Sequence, residues 1–196
     1  MALLPQFLQR GARRFGARLK ALRRDVRAVS AVEFALLLPF MISLYIAANE
    51  TSLALSIYRK VSHTGATLGD LTSQASSLTT AEMTDIMAAT TAVMSPYADS
   101  GLKIVVAAVE MKNNAYVTDW SVAQNTTAWT ENGTPPVTIP SGLISNGQQI
   151  IVTQVQYTYV STFSLFMKDI WGTNSITLKD VSYFRPRVTT TIAKPT

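Results

Sequence analysis

Ala28 to Asn49 is a run of 22 residues carrying one charge, Glu33, and it limits what this chain can become more than any other feature. As a helix rising about 1.5 Å per residue it is about 33 Å long, close to the thickness of a bilayer's hydrocarbon core, so it can cross a membrane once. Ten of its residues are Val, Ile, Leu or Phe. Each favours insertion by roughly 0.3–0.6 kcal/mol, whereas one acid at mid-helix costs about 2.5–3.5 kcal/mol. The balance favours insertion, the more so because Glu33 lies near one end. A buried helix in a soluble core is the competing reading, and the abrupt basic flank argues against it. Upstream, Arg10, Arg13, Arg14, Arg18, Lys20, Arg23, Arg24 and Arg27 face the single acid Asp25, a balance of +7, while nine basic and eleven acidic residues follow, a balance of −2. The net charge of +5 therefore belongs to one short arm. A DNA-binding domain would carry its positive charge on the folded surface, so nucleic acid is not expected as a partner. Cations before the span, with none after it until Arg59, predict a cytoplasmic N-terminus and an outer C-terminal region.

Within the arm, Leu8, Phe15, Leu19, Leu22 and Val26 repeat at helical spacing. Such a face would lie on the anionic cytoplasmic leaflet, each cation adding on the order of 1 kcal/mol. An unstructured basic leader accounts for the same residues. Beyond the span, Glu50 to Lys60 contains no Gly or Pro, which predicts that the helix runs on, and Leu53, Ile57, Val61 and Leu68 keep a helical spacing. The expected organisation is a leader at 1–28, a membrane helix at 29–49, a helical stalk at 50–70 and an exported domain at 71–196.

That domain reads as α+β. Thr79-Thr-Ala-Glu82 is a capping-box pattern, and Met83, Ile86, Met87, Thr90, Val93 and Met94 fall on one face up to Pro96. Strand-like runs follow at Leu102 to Met111 and Tyr116 to Val122, joined at Asn113-Asn114, which suits a tight hairpin. Two more strands are expected within Gln149 to Phe163 and Ser175 to Val188. Ile151, Thr153, Val155, Tyr157 and Tyr159 lie on one alternation of the first, and Ile176, Leu178, Asp180 and Ser182 on one of the second. Ala123 to Gly147, rich in Asn, Thr, Gly and Pro, is expected to be a surface loop.

Chemistry-bearing patterns are missing. The chain has no cysteine and one histidine, His63, so cysteine nucleophiles, multi-His metal sets and, without His63, a Ser-His-Asp triad are ruled out. An exposed helix position is expected for His63. No Gly-rich phosphate loop is present, and Glu82 and Asp85 at a helix start are accounted for by the helix dipole. Asn125-Thr-Thr and Asn132-Gly-Thr match a glycosylation sequon, a short match that is given little weight. Tyr157, Tyr159, Tyr183 and Trp171 fit core filling better than an aromatic contact surface. The expectation is a non-enzyme with no metal and no cofactor.

From Arg23 to Pro39 the sequence Arg-Arg-Asp-Val-Arg-Ala-Val-Ser-Ala-Val-Glu-Phe-Ala-Leu-Leu-Leu-Pro resembles the TadE-like family of pilus assembly proteins, minor pilins or pseudopilins of bacterial Tad (Flp) pili. The basic leader, the small residues before Val-Glu-Phe-Ala, the Pro six residues after Glu33, and Glu50 at the close of the span carry the likeness. The ending Val181-Ser-Tyr-Phe-Arg-Pro-Arg187 is similar to longer alphaproteobacterial members. The resemblance implies a pilin-like shape and cleavage by a prepilin peptidase between Ala28 and Val29, with Ala28 standing where the family usually has Gly. It also implies that Glu33, with the adjoining Phe34, sets the register between packed subunits by pairing with the new amino terminus. A lone carboxylate within a span is expensive and generally functional, although a snorkelling interfacial residue is the plainer alternative. Pro39 lacks the N–H for one helical hydrogen bond, so it either kinks the helix or is merely tolerated. The partners so implied are the inner membrane, the prepilin peptidase, other pilins and the Tad assembly platform. Two other readings stay open. One is an uncleaved single-pass accessory protein; the other is an exported domain behind a signal peptide, cut near Ser52-Leu-Ala54.

Overall fold

The computed structural model describes residues 26–97, 99–161, 163, 168, 172 and 175–196. The leader before Val26, with its expected amphipathic face, lies outside them, as does Trp171. The chain divides into two compact units, Met1–Asn49 and Glu50–Thr196. The first consists, in its described part, of the beginning of helix α1 (Val26–Ser73). Every residue from Val29 to Ile42 is exposed, with Leu36 at 74% and Phe40 at 68%. This stretch is apolar on all sides and covered by nothing in its own unit, unlike a core helix of a soluble protein.

The second unit is α+β. It contains the remainder of α1 from Glu50, helix α2 (Thr80–Ala92), and strands β1 (Leu102–Lys112), β2 (Ala115–Gln124), β3 (Gln149–Val160) and β4 (Ser175–Phe184). The strands form one antiparallel sheet in the order β2-β1-β3-β4. Asn113 and Asn114 join β1 to β2 with φ of 50° and 63°, the positive values that a two-residue type I′ hairpin needs and that Asn tolerates best after Gly. β4 ends at Phe184, short of Val188, because Pro186 has no N–H to extend the ladder.

Two apolar layers sandwich the sheet. On one face Ile57, Val61 and Leu68 from α1 and Met83, Met87 and Met94 from the α2 region pack on Ile104, Val106, Trp120, Ile151 and Val155. The helical spacing of the first three and the methionine stripe are both explained by this contact. On the other face Val105, Ala107, Val109, Ile150 and Val152 are covered by Trp129, Ile139 and Ile144. The segment expected as a surface loop, Ala123 to Gly147, is irregular and largely exposed after β2 ends at Gln124, and through Trp129, Ile139 and Ile144 it also forms a coil layer that closes the back of the sheet. Its polar composition hid the role, since three apolar side chains without a period give no secondary-structure signal.

The helices are tied down by polar contacts at their ends. Lys60 on α1 donates to the carbonyls of Val93 (3.1 Å) and Ser95 (2.7 Å), so a cation meets the unpaired carbonyls at the end of α2. At the other end the capping box forms as read. The Thr79 amide donates to the Glu82 carboxylate at 2.8 Å, and the Glu82 amide donates to the Thr79 hydroxyl at 3.2 Å. The hydrogen bonds from the Thr79 backbone and side chain hold the Glu82 carboxyl below its ordinary value. A group whose folded pKa is depressed stabilises the fold above its unfolded pKa and loses that contribution as pH falls through the folded one. Glu82→Gln is therefore expected to lower the urea midpoint slightly at pH 7 and to converge with the parent chain by pH 3; a constant gap between the two would contradict the capping account.

Residues 185–196 return across the molecule without regular structure. The Arg187 amide donates to the Ser73 carbonyl at 2.9 Å, and the Thr80 amide donates to the Thr196 carbonyl at 2.9 Å. Between them Ile192 is fully buried. Its carbonyl accepts from the Trp120 indole (2.7 Å) and its amide donates to the Gln149 side chain (2.7 Å).

Candidate functional site

The residues singled out in the sequence lie along α1. The Ala28–Val29 bond lies within the described helix, Val26–Ser73. Val29 is 50% exposed and Phe34 59%, and Glu33 is exposed one turn beyond Val29. A spacing of four puts Val29 and Glu33 on the same side of the helix. Among the described residues no donor or cation reaches the Glu33 carboxylate, and its partner, if it has one, must come from elsewhere.

Polar side chains of the apolar stretch bond to their own helix. Ser43 donates to the Pro39 carbonyl at 2.8 Å, and Asn49 donates to the Tyr45 carbonyl at 2.9 Å. Back-bonding of this kind satisfies a hydroxyl or amide without water, which is how polar residues are accommodated in lipid. The helix is unbroken through Pro39. The described part of α1 is long and apolar enough to cross a membrane.

At Glu50 the environment changes. This carboxylate is 5% exposed and accepts a hydrogen bond from the Tyr159 hydroxyl at 2.8 Å. The pair joins α1 to the end of β3 across 109 residues of sequence. Both residues stood out separately in the sequence, Glu50 as the close of the span and Tyr159 on an inward alternation. Nothing local could have paired them.

His63 is exposed, and its Nδ1 lies 3.2 Å from the Thr67 hydroxyl. Asp85 stands exposed in α2. No cluster of three or more His, Asp or Glu suited to a metal ion occurs among the described residues. Tyr157 and Tyr159 are buried in the core, and Tyr183 donates to the Thr138 carbonyl at 2.9 Å. Burial pushes the Tyr157 and Tyr183 hydroxyls up from their ordinary values.

Comparison of the chain with protein-family models, with curated protein sequences and with solved structures finds no match.

Proposed function

We propose that the chain is a minor pilin or pseudopilin that takes part in building a Tad-type pilus from the bacterial inner membrane, through packing of its membrane helix. The observation that carries this reading is a helix apolar on every side from Val29 to Ile42, with one carboxylate, Glu33, that has no partner among the described residues and lies one turn from Val29. In this reading residues 1–28 lie in the cytoplasm, the prepilin peptidase cuts after Ala28, and the second unit works in the periplasm or in the fibre. Glu33 accepts the new amino terminus of its own or a neighbouring subunit, with Phe34 beside it, and offsets the cost of a lone charge in lipid. Neighbouring pilins and the assembly platform are the partners.

The mature N-terminus, read by terminal sequencing or intact mass from cells with an active prepilin peptidase, tests the reading. Val29 is expected. Met1 would identify an uncleaved accessory anchor, and a start near Leu55 a secreted domain. The last outcome is disfavoured by Glu50 and Leu53, since a cut after Ala54 would remove the buried partner of Tyr159 and a side chain packed against the core. Glu33→Ala is expected to abolish most pili while leaving the amount of protein in the membrane fraction unchanged. Unaltered pilus number would remove the register role.

A further inference from the structure

Apolar side chains left uncovered in the second unit are not scattered. Among the described residues its large exposed hydrophobics are Leu55, Tyr58, Leu71, Val160, Phe163 and Val188. Val160, 58% exposed, directly follows Tyr159, and Tyr159 is hydrogen-bonded to Glu50. Phe163 lies three residues further on, and its amide is held by the Ser161 hydroxyl at 3.0 Å. Leu55 and Tyr58 sit within about three helical turns of Glu50. Four of the six are therefore grouped around the point where the apolar run of α1 ends.

The same end carries a groove of about 490 Å³ lined by Leu53, Tyr97, Tyr157, Tyr159 and Val160 together with Ser100, Gly101 and Thr158. Among the described residues, none that lines it is charged. The rings of Tyr97 and Tyr157 stand 6.5 Å apart and tilted, each offering an apolar body with a polar tip. Tyrosine of this kind is enriched at the level of lipid headgroups, where one end of the ring is dry and the other wet. Leu53 stands four residues past Asn49, about 6 Å along the helix.

We propose that this face, formed by Val160, Phe163 and the tyrosine-lined groove, rests in the headgroup layer of the bilayer from which α1 emerges. Its occupant is lipid: the acyl-chain boundary meets Val160 and Leu53, and the headgroups meet the polar side of the groove at Tyr97 and Ser100. The argument is continuity along the chain, because a side chain tied to Glu50 is held near whatever surface the span enters. The inference rests on the membrane reading of α1.

The absence of cysteine from the chain makes single-cysteine reporters clean. Full-length Val160→Cys, Val188→Cys and Leu37→Cys proteins would each be labelled with an environment-sensitive fluorophore. They would be reconstituted in phosphatidylcholine–phosphatidylglycerol vesicles with and without lipid bearing a spin label near the glycerol end of the acyl chain. The expected result is a blue-shifted and strongly quenched probe at 160, a probe at 188 that is neither, and a probe at 37 that is blue-shifted and deep. A probe at 160 as wet and unquenched as that at 188, with 37 still buried, overturns the proposal and leaves the span intact. A wet probe at 37 overturns both. Dilution in lipid separates the remaining occupant: a signal at 160 that vanishes at low protein-to-lipid ratio marks contact with a second copy and overturns the lipid assignment, and one that persists supports it.

Discussion

Removal of residues 190–196 is expected to destabilise the second unit by roughly 5 kcal/mol, a large share of the roughly 5–15 kcal/mol available to a domain. Ile192 is fully buried, and emptying such a site costs about 2–5 kcal/mol. The Trp120 indole N–H and the Gln149 side-chain amide both donate to the Ile192 carbonyl, at 2.7 and 3.3 Å. A buried donor left without its acceptor costs about 1–3 kcal/mol. The truncation also releases the Thr80 amide at the start of α2 and the Lys194–Glu131 ion pair; the pair is exposed and contributes little. Thermal unfolding of the full chain in detergent micelles, followed by tryptophan fluorescence, should show Tm lowered by roughly 10–20 °C. Ile192→Ala keeps the backbone contacts, so it should lose only about half as much. A truncated chain within about 3 °C of the parent would mean that the tail is decoration.

The second large effect is at Gly69, where two rules point in opposite directions. Alanine is favoured over glycine inside a helix by about 1 kcal/mol, so Gly69→Ala should stabilise a free helix. In this fold a Cβ at position 69 would lie 2.2 Å from Cδ2 and 2.4 Å from Cε2 of Phe184, far inside contact distance. The ring at the end of β4 must move out of its place on the core, and overpacking of this sort costs about 1–3 kcal/mol. The net expectation is a loss of up to about 2 kcal/mol, a fall in Tm of up to about 8 °C. Repeating the substitution in a Phe184→Ala background separates the two terms: there Gly69→Ala should become neutral or stabilising. A Gly69→Ala chain more stable than its parent would show that Phe184 yields at no cost.

These two sites also mark where the sequence stopped being readable. The capping box at Thr79 and Glu82, the Asn113-Asn114 hairpin, the methionine stripe and the alternation of β3 are local patterns, and each is set by residues within a few positions of one another. The order β2-β1-β3-β4, the socket of Ile192 and the ring over Gly69 depend on residues far apart in the chain. Trp129, Ile139 and Ile144 were hidden for another reason, since an aperiodic cover has no signature even when it lies over a strand. The candidate site divides in the same way. Glu33, Val29 and Pro39 stand out because a charge, a small-residue run and a proline interrupt an apolar helix. The burial of Glu50 against Tyr159 needed the fold.

One helix furnishes both the apolar stretch and a wall of the core, and this has a consequence for the order of events during synthesis. Ile57, Val61 and Leu68 emerge early and find their apolar partners only when β1 and β3 have been made. The ties that fix α1 to the sheet span 88 residues between Gly65 and Thr153 and 109 between Glu50 and Tyr159. Trp120 then waits a further 72 residues for Ile192. Folds dominated by such distant contacts close slowly. In the proposed topology the polypeptide would therefore stay threadable until almost all of it had crossed the membrane, with the stripe of Ile57, Val61 and Leu68 open meanwhile to any chaperone stationed at the exit.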